Sequence, residues 1–170
     1  TSKIITMRNM FSVNTIRTSK LTSIGSTTNW DTSNVEDMSG IFHYCDKLQS
    51  VDVSRWNTSK VTNMSNMFNL CESLTALDVS RFNTSKVTSM YAMFANCLKL
   101  TNIDVSKWDT SNVTDMTGMF NACNEITNID VSKWNTSKVK NMRWMFKTCF
   151  KLKSLDIINW DTSKVTNMES

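Results

Sequence analysis

The apolar positions of the chain fall into columns. Trp30, Trp56, Phe82, Trp108, Trp134 and Trp160 stand 26 residues apart, as do Phe42, Phe68, Phe94, Phe120 and Phe146. Met38, Met64, Met90, Met116, Met142 and Met168 form a third column and Cys45, Cys71, Cys97, Cys123 and Cys149 a fourth. A polar column, Asp52, Asp78, Asp104, Asp130 and Asp156, keeps the same interval. A fixed period of this length marks stacked repeats, and it is too short for a four-stranded propeller blade. Each unit reads as one rung of a solenoid.

Within residues 57–82, Val61, Met64, Met67, Phe68 and Cys71 have the spacing of one helical face, with Lys60, Asn63, Asn66 and Asn69 turned to water. Asn57-Thr58-Ser59 ahead of them can cap free amides, and Ser33 with Glu36 has capping-box spacing. The pattern predicts roughly three turns of helix, α or 3₁₀, ending near Cys71. The second half of the rung alternates: Val51-Asp52-Val53, Leu77-Asp78-Val79, Ile103-Asp104-Val105 and Ile129-Asp130-Val131 read as half-buried strands. The expected fold is an α/β solenoid with one short parallel β-strand and one short helix per rung. Strands stack about 4.8 Å apart and helices need about 8–10 Å, so the strands are expected on a concave side.

Residues 1–170 read as a single repeat domain, with 30–170 regular and 1–29 an irregular first rung. Met7, Met10 and Phe11 copy Met64, Met67 and Phe68; Leu21 and Ile24 copy Leu48 and Val51 after four extra residues, with one more before Trp30. The last repeat is truncated at Met168-Glu169-Ser170, and the expectation is a piece of a longer array.

The segment Asn57-Thr58-Ser59-Lys60-Val61-Thr62-Asn63-Met64, followed by Met67-Phe68, Cys71, Leu74 and Leu77-Asp78-Val79-Ser80, resembles the 26-residue repeat of bacterial surface proteins. That repeat occurs in BspA-like leucine-rich-repeat surface proteins and in mycoplasma and Gram-positive surface lipoproteins. The resemblance runs from about Trp30 to Met168. It implies a right-handed leucine-rich-repeat-like solenoid on a cell surface or outside the cell, used for adhesion or protein binding, with its anchor outside the chain.

Composition adds a statement about turns. Proline is absent and glycine occurs three times in 170 residues, so one kind of turn built from Asn, Asp, Ser and Thr must be reused. The 19 basic and 15 acidic residues are interspersed, a net charge of +4 too mild to argue for nucleic acid. No apolar run is long enough for membrane insertion by this segment.

The columns are also the candidate sites. The cysteines lie on the apolar stripe with no Cys-x-x-Cys pair, and stacked rungs would hold them too far apart for disulfides, so they read as core. Met64 and Met67 read as core for the same reason. No metal site and no cofactor is expected. The Trp column is either core or an exposed stacking platform. Thr32, Thr58, Thr84, Thr110, Thr136 and Thr162 read as helix caps. The Asp column, Asp52 to Asp156, is the best candidate for ligand binding. Its other reading is structural: each Asp fixes a turn and pairs with Arg55, Arg81, Lys107 or Lys133. His43 is the only histidine and is replaced in other rungs, so no catalytic residue is expected. The sequence therefore points to a non-enzymatic surface domain binding a protein or glycan on another cell or a host. The alternative is a structural spacer that self-associates end to end.

Overall fold

The computed structural model describes residues 3–13 and 19–169. Each 26-residue unit makes one circuit and lies on the next in parallel register. The bridges Asp37↔Asn63, Asn63↔Ser89, Ser89↔Asp115, Asp115↔Asn141 and Asn141↔Asn167 join equivalent residues of successive coils. The irregular first coil is in step once its extra residues are allowed for. Thr6 pairs with Asp37, 31 residues on, which is the period plus both insertions. Ser23 pairs with Ser50, 27 residues on, which is the period plus the single insertion. The four extra residues fall between Phe11 and Leu21, a stretch of which 14–18 lie outside the described residues.

Neither predicted element forms. Among the described residues there are turns and isolated bridges, with no helix and no extended strand, so the α/β solenoid with a helix and a strand per rung is overturned. The Met64–Leu74 stretch is a run of tandem turns. The amides of Met67, Asn69, Cys71 and Leu74 donate to the carbonyls of Met64, Asn66, Phe68 and Cys71 at 3.1–3.3 Å. The amides between them, from Met64, Asn66, Phe68 and Leu70, leave the coil and donate to Ser89, Tyr91, Met93 and Ala95 of the next one at 2.8–3.1 Å. Ser65 N–H donates to Asn63 Oδ1. Every amide from Met64 to Cys71 thus has a partner, half of them in the neighbouring coil. A helix uses its amides internally and cannot zip to a neighbour in this way. The turns bring Asn66 and Leu70 to φ values of 57° and 63°, a left-handed conformation that no right-handed helix contains.

The alternating segment keeps its facing but not its ladder. Leu77 and Val79 are buried and Asp78 is exposed, as expected. The backbone link between coils here is a single long bond, Thr101 N–H to Thr75 C=O at 3.4 Å. Spacing in the core follows the same division. Phe-column rings stack 5.3–5.8 Å apart, whereas Trp30–Trp56, Phe82–Trp108 and Trp134–Trp160 stand at 6.0–6.4 Å. The coils are drawn together on the Met–Phe side and stand further apart on the Asp side. With no helix to prop the other side open, the reason for a concave Asp face disappears.

The core is continuous along the stack. Val61, Met64, Met67, Phe68, Cys71, Leu74 and Val79 of one coil are all fully buried, and each equivalent ring covers the next. One coil alone has two bare apolar faces, so stability comes from stacking.

Candidate functional site

Three polar columns that looked like candidate chemistry bond coil to coil. Thr58, 1% exposed, donates its hydroxyl to Asn83 C=O at 3.0 Å and accepts Asn83 N–H at 2.7 Å. Thr32, Thr84, Thr110 and Thr136 donate to the matching carbonyls at 2.9–3.1 Å. With no helix to cap, this hydroxyl replaces a ladder bond between coils. The tryptophans are core: Trp108, Trp134 and Trp160 Nε1 donate to Val79, Val105 and Val131 C=O at 3.1–3.2 Å. Phe82 fills the same space without the donor. The thiols of Cys71, Cys97, Cys123 and Cys149 donate to the carbonyls of Phe42, Phe68, Phe94 and Phe120. Burial pushes the Cys45 and Cys149 thiols up to about 11 and holds the inner three well above the ordinary thiol range. All five cysteines are free. A thiol held protonated in the interior is neither a nucleophile nor a ready metal ligand. Among the described residues no three His, Cys, Asp or Glu side chains cluster as a metal site would require, and no helix is long and apolar enough to cross a membrane.

The Asp column is exposed and partly occupied. Oδ1 of Asp52, Asp78, Asp104 and Asp130 accepts the N–H of the serine two residues on at 3.0–3.1 Å and its hydroxyl at 2.7 Å. The serine hydroxyl and then the serine amide hold these four carboxyls below the usual range. Asp156 is followed by Ile158 in place of serine and keeps only a 3.4 Å contact with its amide. Among the described residues no cation lies within 4 Å of these aspartates, but Arg55, Arg81, Lys107 and Lys133 act at longer range, each lowering the carboxyl three residues before it. Between the loosely joined coils lie two clefts of about 440 and 330 Å³. One is beside Asp78 and Asp104, the other beside Asp104 and Asp130.

The same carboxylate-or-amide turn recurs at two further corners, except that the fourth coil has Ser89 at one of them. Asn57, Asn83, Asp109 and Asn135 accept from the residue two on, and so do Asn63, Asp115 and Asn141. This reused turn explains the missing proline and glycine.

Sequence reasoning passed over a site on the outer face of the tandem turns. Most corner columns repeat one residue type, but positions 91, 92, 95 and 96 of the fourth coil have no fixed counterpart. Ser39, Ser65, Tyr91, Thr117 and Arg143 share one column; Gly40, Asn66, Ala92, Gly118 and Trp144 share another. The small residues sit side by side with large ones around them, leaving a cleft of about 410 Å³. Tyr91 is 43% exposed at one side. Trp144 stands two coils away, with Arg143 Cζ 3.7 Å and Lys147 Nζ 4.8 Å from its ring centroid. The break in periodicity was the signal in the sequence.

A stack of 26-residue coils, tied by repeated inward polar columns and varied on one outer face, is a tandem-repeat module. The chain belongs to the family described as Mycoplasma protein of unknown function, DUF285, whose profile matches residues 5–123 and 98–170. The mycoplasma side of the sequence resemblance is thereby supported. The BspA-like leucine-rich-repeat side is not, and the coil lacks the helix and strand which that assignment implied. A comparison with curated proteins finds no match.

Proposed function

We propose that the chain is a non-enzymatic repeat module of a cell-surface or extracellular protein, binding a protein or glycan partner on another cell or a host. The surface assigned to that role is the one carrying Asp52, Asp78, Asp104, Asp130 and Asp156. The observation behind it is a row of exposed carboxylates, four of them using one oxygen for a turn and, among the described residues, none with a cation within 4 Å, beside clefts between coils. Neighbours in the row also repel: Asp104 raises the Asp78 pKa against the serine bonds, and Asp130 does the same to Asp104. A partner presenting basic groups would relieve that repulsion.

The test replaces Asp78, Asp104 and Asp130 together by Asn, which the neighbouring corners show to be compatible with the same turn. Binding of labelled chain to cultured epithelial cells is read by flow cytometry. At about 0.2–1 kcal/mol per exposed charge, the triple variant should bind roughly 3- to 100-fold more weakly with its melting curve unchanged. Equal binding by both forms removes the Asp face from the reading, and no binding by the parent chain removes this partner class.

A second reading, end-to-end self-association, has its own observation. The last described coil exposes Phe150 (77%) and Ile158 (85%) beside an apolar cleft formed by Met142, Met145, Phe146 and Trp160. In inner coils the following coil covers this face. Mass rising with concentration in light scattering, and abolished by Ile158→Lys, would favour it.

A further inference from the structure

The outer-face cleft between Tyr91 and Trp144 is separate from the Asp face and has its own chemistry. Its floor is Ala92, Ala95 and Gly118, positions where other coils carry Asn66, Asn69 or Trp144. A Cβ built on Gly118 would meet nothing nearer than the Asn121 Cβ at 3.8 Å, so the space above the floor is open. We propose that this cleft is a carbohydrate-binding site for a short neutral glycan, one pyranose face lying on the Tyr91 ring and its hydroxyls reading the surrounding amides.

Four observations carry the assignment. Tyr91 offers an exposed apolar ring face, and such a face attracts the C–H edge of a sugar ring. The amides of Asn69, Asn96 and Asn121 border the floor; Asn69 already donates to Asn66 Oδ1 and accepts a 3.5 Å contact from Asn96 Nδ2, which leaves Asn121 with both a donor and an acceptor to offer, the pairing that vicinal hydroxyls need. Asn121 makes no side-chain hydrogen bond among the described residues, and Asn141 spends only Oδ1, on Arg143 N–H.

Two of the nearby charged side chains are already engaged within the protein. Arg143 Nε lies 2.8 Å from Glu169 Oε2, and Asp115 Oδ1 accepts Thr117 N–H and Oγ1. An acidic ligand would therefore find little free positive charge at the floor. An extended peptide has no edge to join, because the amides of Ala92, Phe94 and Asn96 already donate to Thr117, Met119 and Asn121 of the next coil. Trp144, clamped by Arg143 and Lys147, closes the far side as a wall. It stands roughly 10 Å along the stack from Tyr91, given coils about 4.8 Å apart.

The experiment titrates the whole 170-residue chain with methyl glycosides of glucose, galactose, mannose and N-acetylglucosamine and with their short neutral oligomers. It is followed by amide-resolved NMR up to about 100 mM sugar, enough to see a millimolar site. At least one series should shift resonances confined to Tyr91, Asn96 and Asn121. Tyr91→Ser, which restores the residue of the second and third coils, should weaken binding about tenfold, the upper range for one aromatic contact. Ala92→Asn, which restores the third coil's side chain and fills the floor, should do the same. Both variants must keep the parent spectrum elsewhere. No shift with any sugar overturns the assignment, as does unaltered affinity in the folded Tyr91→Ser protein. Binding confined to sulfated or sialylated glycans and lost in high salt overturns the neutral ligand class.

Discussion

The corners of the coil and the outer face of its tandem turns obey different rules. At the Thr, Trp and Cys columns the residue type repeats because each side chain completes a bond to a neighbouring coil: Thr58 to Asn83, Trp108 to Val79, Cys97 to Phe68. At the Thr column a change would strip the Asn83 amide of its partner, whereas at the Trp column Phe82 already stands without a donor and Val53 C=O keeps the Trp56 amide. On the outer face, Tyr91, Ala92, Ala95 and Asn96 have only to keep their backbone in the turn, and the amides of Ala92 and Asn96 bond the next coil whatever the side chain. Repetition therefore marks what holds the stack together, and departure from it marks where the surface is free to become specific. The Asp column lies between these cases, exposed like the outer face and repeated like the corners.

Substitution in the two regions should separate them widely. Phe68→Ala removes a fully buried ring stacked on Phe42 at 5.3 Å and Phe94 at 5.8 Å, and should cost about 3–5 kcal/mol in denaturant unfolding. Tyr91→Ser, at a position of equal periodicity, should stay within about 0.5 kcal/mol. A Phe68→Ala cost below about 1 kcal/mol would mean that the ring column does not hold the coils together.

A finer contrast lies between two threonine columns. Thr58 is buried and serves both polar groups of Asn83, whereas Thr62 is exposed and donates to Glu36 C=O at 3.2 Å. Thr58→Val takes away both bonds to the Asn83 backbone, about 0.5–1.5 kcal/mol each, and should cost about 1–3 kcal/mol. Thr62→Val leaves a carbonyl that already accepts the Thr62 amide, and water can replace the hydroxyl, so a loss under about 0.5 kcal/mol is expected. Equal losses in urea melts would remove the distinction between inward and outward polar columns.

The period, the register and the inward side chains were legible in the residues. The insertions counted in the first coil reappear as the 31- and 27-residue offsets of its bridges, and Val61, Met64, Met67, Phe68 and Cys71 are all buried. The conformation between them was not legible, because tandem turns and a helix can both turn residues at three- and four-residue spacings to one side. One signal argued against the helix: Gly40, Asn66 and Gly118 share a column in its middle, where a helix disfavours them and a left-handed turn position selects them. The strand failed for a different reason. Alternation reports which side chains are buried, and Leu77 and Val79 are; it does not report whether the neighbouring coil is close enough to pair. At the candidate site, column logic led to the repeated Asp residues and away from the irregular outer face.

Acid should distinguish the Asp corner from its Asn counterpart. The carboxyls of Asp52, Asp78, Asp104 and Asp130 lie below their ordinary 3.8 because serine donors hold the ionised form. Their contribution to stability is fully present above the unfolded value and is lost as pH falls through the lower folded value. Melting temperature should therefore be level near neutrality and decline below about pH 4. Replacing Asp78, Asp104 and Asp130 by Asn should flatten that decline in part, since Asn57, Asn83 and Asn135 make the same turn without ionising. A decline as steep in the variant as in the parent would assign acid sensitivity to other carboxylates, such as Asp31, Asp109 and Asp161 at the next corner.

A small effect is also expected at Trp144, where the outer face breaks a local rule. Trp144 holds φ 56° in the column occupied by Gly40 and Gly118, and a large side chain in that conformation costs roughly 1–2 kcal/mol. Asn tolerates it better, as Asn66 does at φ 57° in the same column. Trp144→Asn removes that strain but also removes the ring under Arg143, a contact worth about 0.5–1 kcal/mol at an exposed site. The two nearly offset, leaving a net gain of about 0.5 kcal/mol and a rise of roughly 1–2 °C in melting temperature. A core tryptophan such as Trp108 could not be replaced by Asn at so small an effect. A fall of several degrees for Trp144→Asn would show that this ring too holds coils together, and the division between repeated structure and variable surface would have to be redrawn at the sixth coil.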